Sequence, residues 1–257
     1  MPRPDAFAEI ARYYDPIMDH VDYDRWFLIT ATLGELLPHG FLHVDAGCGT
    51  GVLMHMLRKS GWNSTGIDLS FAMLHTARRE RGALPVAAGD LQAFPVRGAH
   101  FVTCLFDTIN FLLEEEALRR VLREFAQALR PGGLLYFDAV TERMVTDHFD
   151  DQTWTEDNGR FRTTWSSNYD PATGLTETRV RVNTGGEALI LERVYPTATI
   201  VQAIEDAGLT VLDTLDAFTW KRPTPRSTRL DFVAMKSPNQ PHQALFSTLR
   251  SRLRQLL

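Results

Sequence analysis

The residues with the clearest chemical potential are Val44-Asp45-Ala46-Gly47-Cys48-Gly49-Thr50-Gly51, where an apolar run ends and a helical pattern begins. Glycines at such a junction permit a tight turn and let a ligand approach the backbone closely. Dinucleotide sites use Gly-x-Gly-x-x-Gly with a pyrophosphate on the helix N-terminus, and phosphate loops add Lys-Ser/Thr. This loop has Gly-x-Gly-x-Gly, no basic residue, and an acid just before it. A phosphate-free ligand with an ammonium group fits it better than a dinucleotide. Three more acids close later apolar runs: Asp68 in Gly66-Ile67-Asp68-Leu69-Ser70, Asp90 in Gly89-Asp90-Leu91, and Asp107 in Phe106-Asp107-Thr108-Ile109-Asn110. A carboxylate at Asp68 can accept hydrogen bonds from both hydroxyls of a ribose. Taken alone, each acid reads equally well as a helix cap or a turn residue.

Their order and intervals resemble the motifs of the class I, Rossmann-like S-adenosylmethionine-dependent methyltransferases over about residues 40–140. The resemblance implies that Gly47, Cys48, Gly49 and Gly51 line the methionine and ribose portions of S-adenosylmethionine, with Asp45 near its ammonium. It places Asp68 and Leu69 at the ribose, Asp90 and Leu91 at the adenine edge, and Phe106 and Asp107 at the mouth of the active site. Upstream, Tyr13-Tyr14-Asp15, Tyr23 and Trp26 resemble the aromatic N-terminal cover of small-molecule methyltransferases. Tyr14 and Trp26 are then expected over the sulfonium, where cation–π attraction operates. The plainer reading is that these aromatics pack two helices together.

Glycine/sarcosine and amino-sugar N-methyltransferases, which the chain also resembles, roof the acceptor with an antiparallel sheet after strand five. That implies acceptor-side roles for Asn110, Trp165, Tyr169 and Arg193. The expected reaction is in-line displacement of the methyl group onto a small-molecule nitrogen or oxygen. Positioning supplies most of such a rate, and a base is needed only where the acceptor carries a proton. Asp107 is the candidate to orient the acceptor. The alternatives are a non-catalytic cofactor-binding module and methylation of a protein or RNA.

The elements that must position these residues alternate between strand and helix. FLHVDAG, NSTGID, LPVAAGD, AHFVTCLFD and GGLLYFDAV are short apolar runs separated by helical patterns, the signature of parallel βαβ units. The helix predicted from Glu114 to Leu129 presents Leu118, Val121, Leu122, Phe125 and Leu129 on one face. Before these units, one helix is predicted from Asp5 to about Asp15-Pro16 and another from Asp22 to Leu37. After them, RFRTTWSSNYD, LTETRVRVN and EALILERVY read as an antiparallel meander. There Thr176, Thr178, Val180 and Val182 alternate with Glu177, Arg179, Arg181 and Asn183. A helix from Thr197 to Ala207 and two strands follow. The expected fold is α/β and Rossmann-like, a mostly parallel sheet flanked by helices, with a small antiparallel β insertion after strand five. Residues 1–40 form a helical cover, 41–150 and 196–236 the core, 151–195 the acceptor-side insertion, and 237–257 a linker and amphipathic helix.

The 257 residues carry a formal net charge of -5, which argues against nucleic acid as a partner. Two cysteines are too few for a disulfide framework, and no paired spacing points to a metal. The opening segment lacks a signal pattern and no apolar run spans a bilayer, so a cytoplasmic protein is expected. Leu245, Leu249, Leu253 and Leu256 make a terminal apolar stripe that needs a cover, either its own domain or a second copy in a homodimer.

Overall fold

The computed structural model describes residues 5–257. Short helices α1 (Tyr14–Ile17) and α2 (Tyr23–Gly34) precede alternating strands and helices: β1 (Leu42–Ala46), α3 (Val52–Lys59), β2 (Asn63–Asp68), α4 (Phe71–Arg81), β3 (Val86–Ala88), β4 (Ala99–Cys104), α5 (Glu115–Ala128) and β5 (Leu129–Val140). Then come α6 (Glu142–His148), β6 (Gln152–Asp157), β7 (Arg162–Asp170), β8 (Leu175–Val182), β9 (Glu187–Arg193), α7 (Thr197–Asp206), β10 (Thr210–Asp216), β11 (Arg229–Met235) and α8 (Gln240–Leu256). The main sheet has the order β10-β11-β5-β4-β1-β2-β3. Its first five strands in the chain are parallel, whereas β11 runs antiparallel to both β5 and β10. Strands β6 to β9 form a separate antiparallel meander. This is the expected Rossmann-like fold with its antiparallel insertion.

Helix α5 shows why the core forms where it does. Leu118, Val121, Leu122 and Phe125 are fully buried against the sheet, while Glu115 and Glu116 occupy the first turn, where the helix dipole favours anions. Strand β8 keeps the expected alternation: Thr176, Thr178, Val180 and Val182 are buried, and Arg179 and Arg181 pair with Glu187 on the wet face.

Four local expectations need correction. The first helix is broken: residues 11–13 form a 3-10 turn, and α1 starts at Tyr14 and runs through Asp15-Pro16. Proline is tolerated there because first-turn amides have no helical partner. The second helix ends at Gly34, not Leu37. Strand β6 and helix α6 were not foreseen at all. The terminal stripe consists of Phe246, Leu249 and Leu253, whereas Leu245 and Leu256 are exposed. That face packs on Trp26, Ile29, Leu33 and Leu36, so the chain covers its own stripe. Arg250 bonds Asp213 at 2.5 Å and Arg252 bonds Glu35, which fixes the dock. Among the described residues no helix is long and apolar enough to cross a membrane.

Candidate active site

The candidate site lies at the carboxyl edge of the parallel strands, where open α/β sheets bind ligands. After β1 the chain turns sharply because the Gly47 and Cys48 amides both donate to the Ile67 carbonyl, at 2.7 and 3.1 Å. Gly47 has φ +75°, and a Cβ there would lie 2.5 Å from Thr108 Cγ2, so no side chain fits. Gly49 also has positive φ, yet a Cβ there would meet nothing within 4 Å. Its backbone faces open space, as a ligand approaching the chain requires. A Cβ on Gly51 would instead point into the core beside Leu84, so Gly51 shapes the turn. Cys48 is a correction: its thiol packs with Met54, Leu74 and Val86, and its amide and carbonyl are both used within the turn.

Asp68 braces this loop from β2. Its Oδ2 accepts from the Gly49 amide at 2.7 Å and its Oδ1 from the Ser70 amide at 2.8 Å. Each oxygen keeps a further lone pair for a ligand hydroxyl. Burial raises the Asp68 pKa, against those amide bonds. Beside it, Leu69 is 61% exposed and Phe71 75% exposed, an apolar strip that no described residue covers. Asp90 is exposed and caps the 3-10 turn Leu91–Ala93 by accepting from Gln92, with Leu91 half-buried next to it. Asp45 is buried, accepts from Thr103 Oγ1 at 2.7 Å, and is pushed up to about 6 by burial.

The other wall is assembled from distant segments. Phe106 and Asp107 follow β4 with φ of +58° and +53°, two successive left-handed residues of the kind that clusters at functional sites. Arg229, at the start of β11, donates to Asp107 Oδ2 at 3.1 Å and to Asp138 Oδ2 at the end of β5. The Asp107 amide also donates to Asp138 Oδ2, and among the described residues the buried Asp138 Oδ1 has no partner. Burial alone would lower the Arg229 pKa, but Asp107 and Asp138 together hold it above its ordinary value. Glu192 of β9 faces the same centre. Burial, then Asp107, raise it to about 8, and Arg229 opposes the shift. The Tyr14 pKa is raised by burial and by the charges of Tyr23, Asp107, Asp68 and Glu192, and its ring packs edge-on against Phe7 at 5.9 Å.

The sequence did not single out Arg229, Asp138 or Glu192. Other candidates moved. Trp26 is only 8% exposed, pressed between Phe106 at 5.1 Å and Tyr136 at 6.3 Å, so it supports Phe106 from below and does not face the cleft. Asn110 is fully buried: its amide donates to the Arg193 carbonyl at 2.8 Å and accepts from the Val140 amide at 3.1 Å. It staples β9 to the end of β5, and its full burial keeps its remaining donor and lone pair from a substrate. Trp165 stacks on Trp154 and bonds Glu156 and Thr163. Tyr169, bonded to Glu142, and Arg193, bonded to the Leu113 carbonyl, line a separate open cavity of about 640 Å³ that contains none of the glycine-loop residues.

The N-terminal segment is bonded to both walls. Asp15 accepts from Thr50 Oγ1 at 2.5 Å and from Arg81 at 2.6 Å, and Arg81 donates to the Thr50 carbonyl. Ser70 donates to Asp5 at 2.8 Å. On the opposite side Ile10 and Ile17 pack with Phe161, Val180, Val182 and Ala188 of the antiparallel sheet. The Tyr13 hydroxyl accepts from Thr184, and Glu9 accepts from the Glu187 amide.

The open backbone at Gly49, the apolar strip and a carboxylate with spare lone pairs together suit an adenosine that carries a cationic amino-acid tail. Comparison with known proteins agrees. Residues 44–133 match the family described as a methyltransferase domain. A methyltransferase of Geobacillus sp. (strain WCH70) is 29% identical over 246 residues, spanning 90% of this chain and all of the relative. A dTDP-4-amino-2,3,4,6-tetradeoxy-D-glucose N,N-dimethyltransferase of Saccharopolyspora spinosa is 33% identical over 145 residues, 51% of this chain and 57% of the relative. The crystal structure of an S-adenosylmethionine-dependent methyltransferase from Clostridium acetobutylicum superposes with a TM-score of 0.78 at 22% identity, covering 89% of this chain and 98% of that one.

Proposed function

We propose that this chain, a class I S-adenosylmethionine-dependent methyltransferase in family and fold, transfers the methyl group to an amine nitrogen of a small molecule. The observation that carries this reading is the charge balance of the cleft. Among the described residues Asp107, Asp138 and Glu192 converge on one cation, Arg229, whose two terminal nitrogens each donate to an aspartate. Glu192 is the carboxyl left over: burial holds it largely protonated near neutral pH, and an entering cationic amine would draw it into its ionised form.

When bound, the cofactor supplies a methyl group already activated on a sulfonium. The residues proposed to hold it are Asp45 at the ammonium, the backbone of Gly47 and Gly49 along the methionine and ribose, and Asp68 at the ribose hydroxyls. Leu69, Asp90 and Leu91 serve the adenine, and Tyr14 covers the reacting end. Asp107, neutralised by Arg229, orients the acceptor. Glu192 then acts on its proton. An ammonium has no lone pair, so it must lose a proton before it attacks. A carboxyl raised to about 8 is matched to that task near neutral pH, because a base works best with a pKa close to ambient. The two acids divide the work, Asp107 ion-paired to Arg229 and orienting the acceptor, Glu192 taking the proton. The amino-sugar dimethyltransferase among the relatives supports the same class of acceptor.

The test is transfer from methyl-labelled S-adenosylmethionine to a panel of amino sugars, amino acids, polyamines, phenols and carboxylic acids. Label should pass to amines. Turnover confined to phenols or carboxylic acids would overturn the nitrogen assignment while leaving the methyltransferase intact.

A further inference from the structure

Asp45 is not held alone. Ser64 Oγ lies 3.0 Å from His43 Nδ1, His43 Nε2 lies 3.0 Å from Thr103 Oγ1, and Thr103 Oγ1 lies 2.7 Å from Asp45 Oδ1. The chain crosses three adjacent strands, since His43 is register partner to Ser64 on β2 and Asp45 to Thr103 on β4. Ser64, His43 and Thr103 are essentially inaccessible to solvent, so water cannot substitute for any link. Donor logic then fixes the direction. An ionised Asp45 only accepts, so Thr103 donates to it. The Thr103 oxygen accepts from His43 Nε2–H, and the bare Nδ1 accepts from Ser64. Among the described residues Asp45 Oδ2 takes no hydrogen bond, and it is the oxygen left for a ligand.

We propose that His43 and Thr103 are positioning residues for the cofactor's amino-acid end: the Ser64-His43-Thr103 chain fixes the Asp45 carboxylate, and the tautomer of His43 follows its charge. The inference rests on the cofactor and not on the identity of the acceptor. If Asp45 takes up a proton, every bond in the chain can reverse. Asp45 then donates to Thr103, Thr103 to Nε2, and Nδ1–H to Ser64. His43 itself stays neutral throughout, because burial among Trp62 and Phe101, each 5.4 Å away, pushes it down to about 3. No charged group from β2 or β4 contributes to its shift. Asp45 is faced by Asp68 from β2, Cys48 from the glycine loop, Cys104 from β4 and Tyr23 from α2. None of these is cationic. A ligand ammonium is therefore the charge that would keep Asp45 ionised and the chain aimed at it.

Calorimetric titration separates this from a packing role. S-adenosylhomocysteine carries the amino-acid end, and 5′-methylthioadenosine lacks it. Thr103→Val and His43→Leu should each weaken S-adenosylhomocysteine roughly tenfold, with 5′-methylthioadenosine held within about twofold. His43→Gln should restore most of the loss, because its amide can accept from Ser64 and donate to Thr103. Nitrogen-15 spectra of the wild-type histidine need no variant. They should show the Nε2–H tautomer above the Asp45 transition near 6 and the Nδ1–H tautomer below it, with the switch moved to lower pH by S-adenosylhomocysteine. Equal losses on both ligands, no loss on either, or a tautomer indifferent to pH and ligand would overturn the proposal.

Discussion

The two walls of the cleft are built on different principles. The cofactor wall is local: Gly47, Gly49 and Asp68 lie within 22 residues, and two backbone amides on one carbonyl set the turn. The proposed acceptor wall is assembled from Asp107, Asp138, Glu192 and Arg229, with Tyr14 reaching it from the N-terminal segment, so that it draws on more than 200 residues of chain. Its central ion pairs span 122 and 91 residues. A wall made of one loop can be kept while the other is rebuilt from different segments. On the proposed assignment, cofactor identity belongs to a short motif, and acceptor identity to the tertiary fold.

If that contrast holds, the largest effect should come from removing the long-range cation. Arg229→Met leaves Asp107 and Asp138 facing each other without a counter-charge in a largely dry site, and breaking such a pair costs about 3–5 kcal/mol. Urea unfolding should report that loss. An unchanged midpoint would mean that the acceptor wall is not held by this cation. Asp68→Ala should cost less stability, since it frees only the Gly49 and Ser70 amides, but about 3 kcal/mol in S-adenosylhomocysteine binding, on the order of a hundredfold, because two hydroxyls lose a charged acceptor. Unchanged affinity by calorimetry would remove Asp68 from the cofactor wall.

The same contrast explains what the sequence made legible. Gly-x-Gly-x-Gly after an apolar run carries its own geometry, and the alternation in β8 assigned its buried face correctly because threonine and valine alternate with arginine and glutamate. In β9 the pattern fails: Ala188, Ile190 and Glu192 share one face, Leu189 and Leu191 the other, so both faces look apolar and Glu192 has no visible side. Arg229 heads an ordinary strand, and nothing near it in sequence names Asp107. Trp26 misled because helical spacing of aromatics is the same whether they meet a ligand or a core. Cys48 misled because a motif position fixes the backbone, while the bare Gly66 opposite drew its thiol inward, where a Cβ on Gly66 would lie 2.6 Å from the sulfur. The terminal stripe was off by one residue at its start, since Phe246 and Leu245 both keep helical spacing to Leu249 and Leu253.

Glu192 offers a smaller and more specific test of the acceptor wall. Its folded pKa of about 8 lies above the ordinary 4.5, so the native state holds more protons than the unfolded chain between those values. The stability this provides is full below 4.5 and is lost as pH rises toward 8. Glu192→Gln cannot titrate, so it should flatten the decline by on the order of 1–2 kcal/mol after solvent screening. Chemical denaturation at several pH values measures the slope. An identical slope in both proteins would show that Glu192 is solvated and ordinary, and the proton-acceptor role would go with it.

The smallest expected effect bears on whether the two walls are independent at all. Asp15 belongs to the segment that packs on the antiparallel sheet, yet its carboxylate is bonded to Thr50 and Arg81 of the cofactor wall. Both partners of the ion pair are partly exposed, at 14% and 26%, so Asp15→Asn should cost only about 1 kcal/mol, or fivefold in cofactor affinity. Tyr13→Phe removes the acceptor for Thr184 on the far side of the same segment. That hydroxyl is remote from the glycine loop and should barely change cofactor affinity alone. If the segment is a rigid strap, loosening one end already spends part of what the other end contributes, and the double variant should depart from additivity by about 0.5 kcal/mol or more. A cycle that closes within about 0.3 kcal/mol would mean that each end acts only on its own wall. The two halves would then be separable in energy as well as in sequence, and acceptor-side substitutions would leave cofactor affinity untouched.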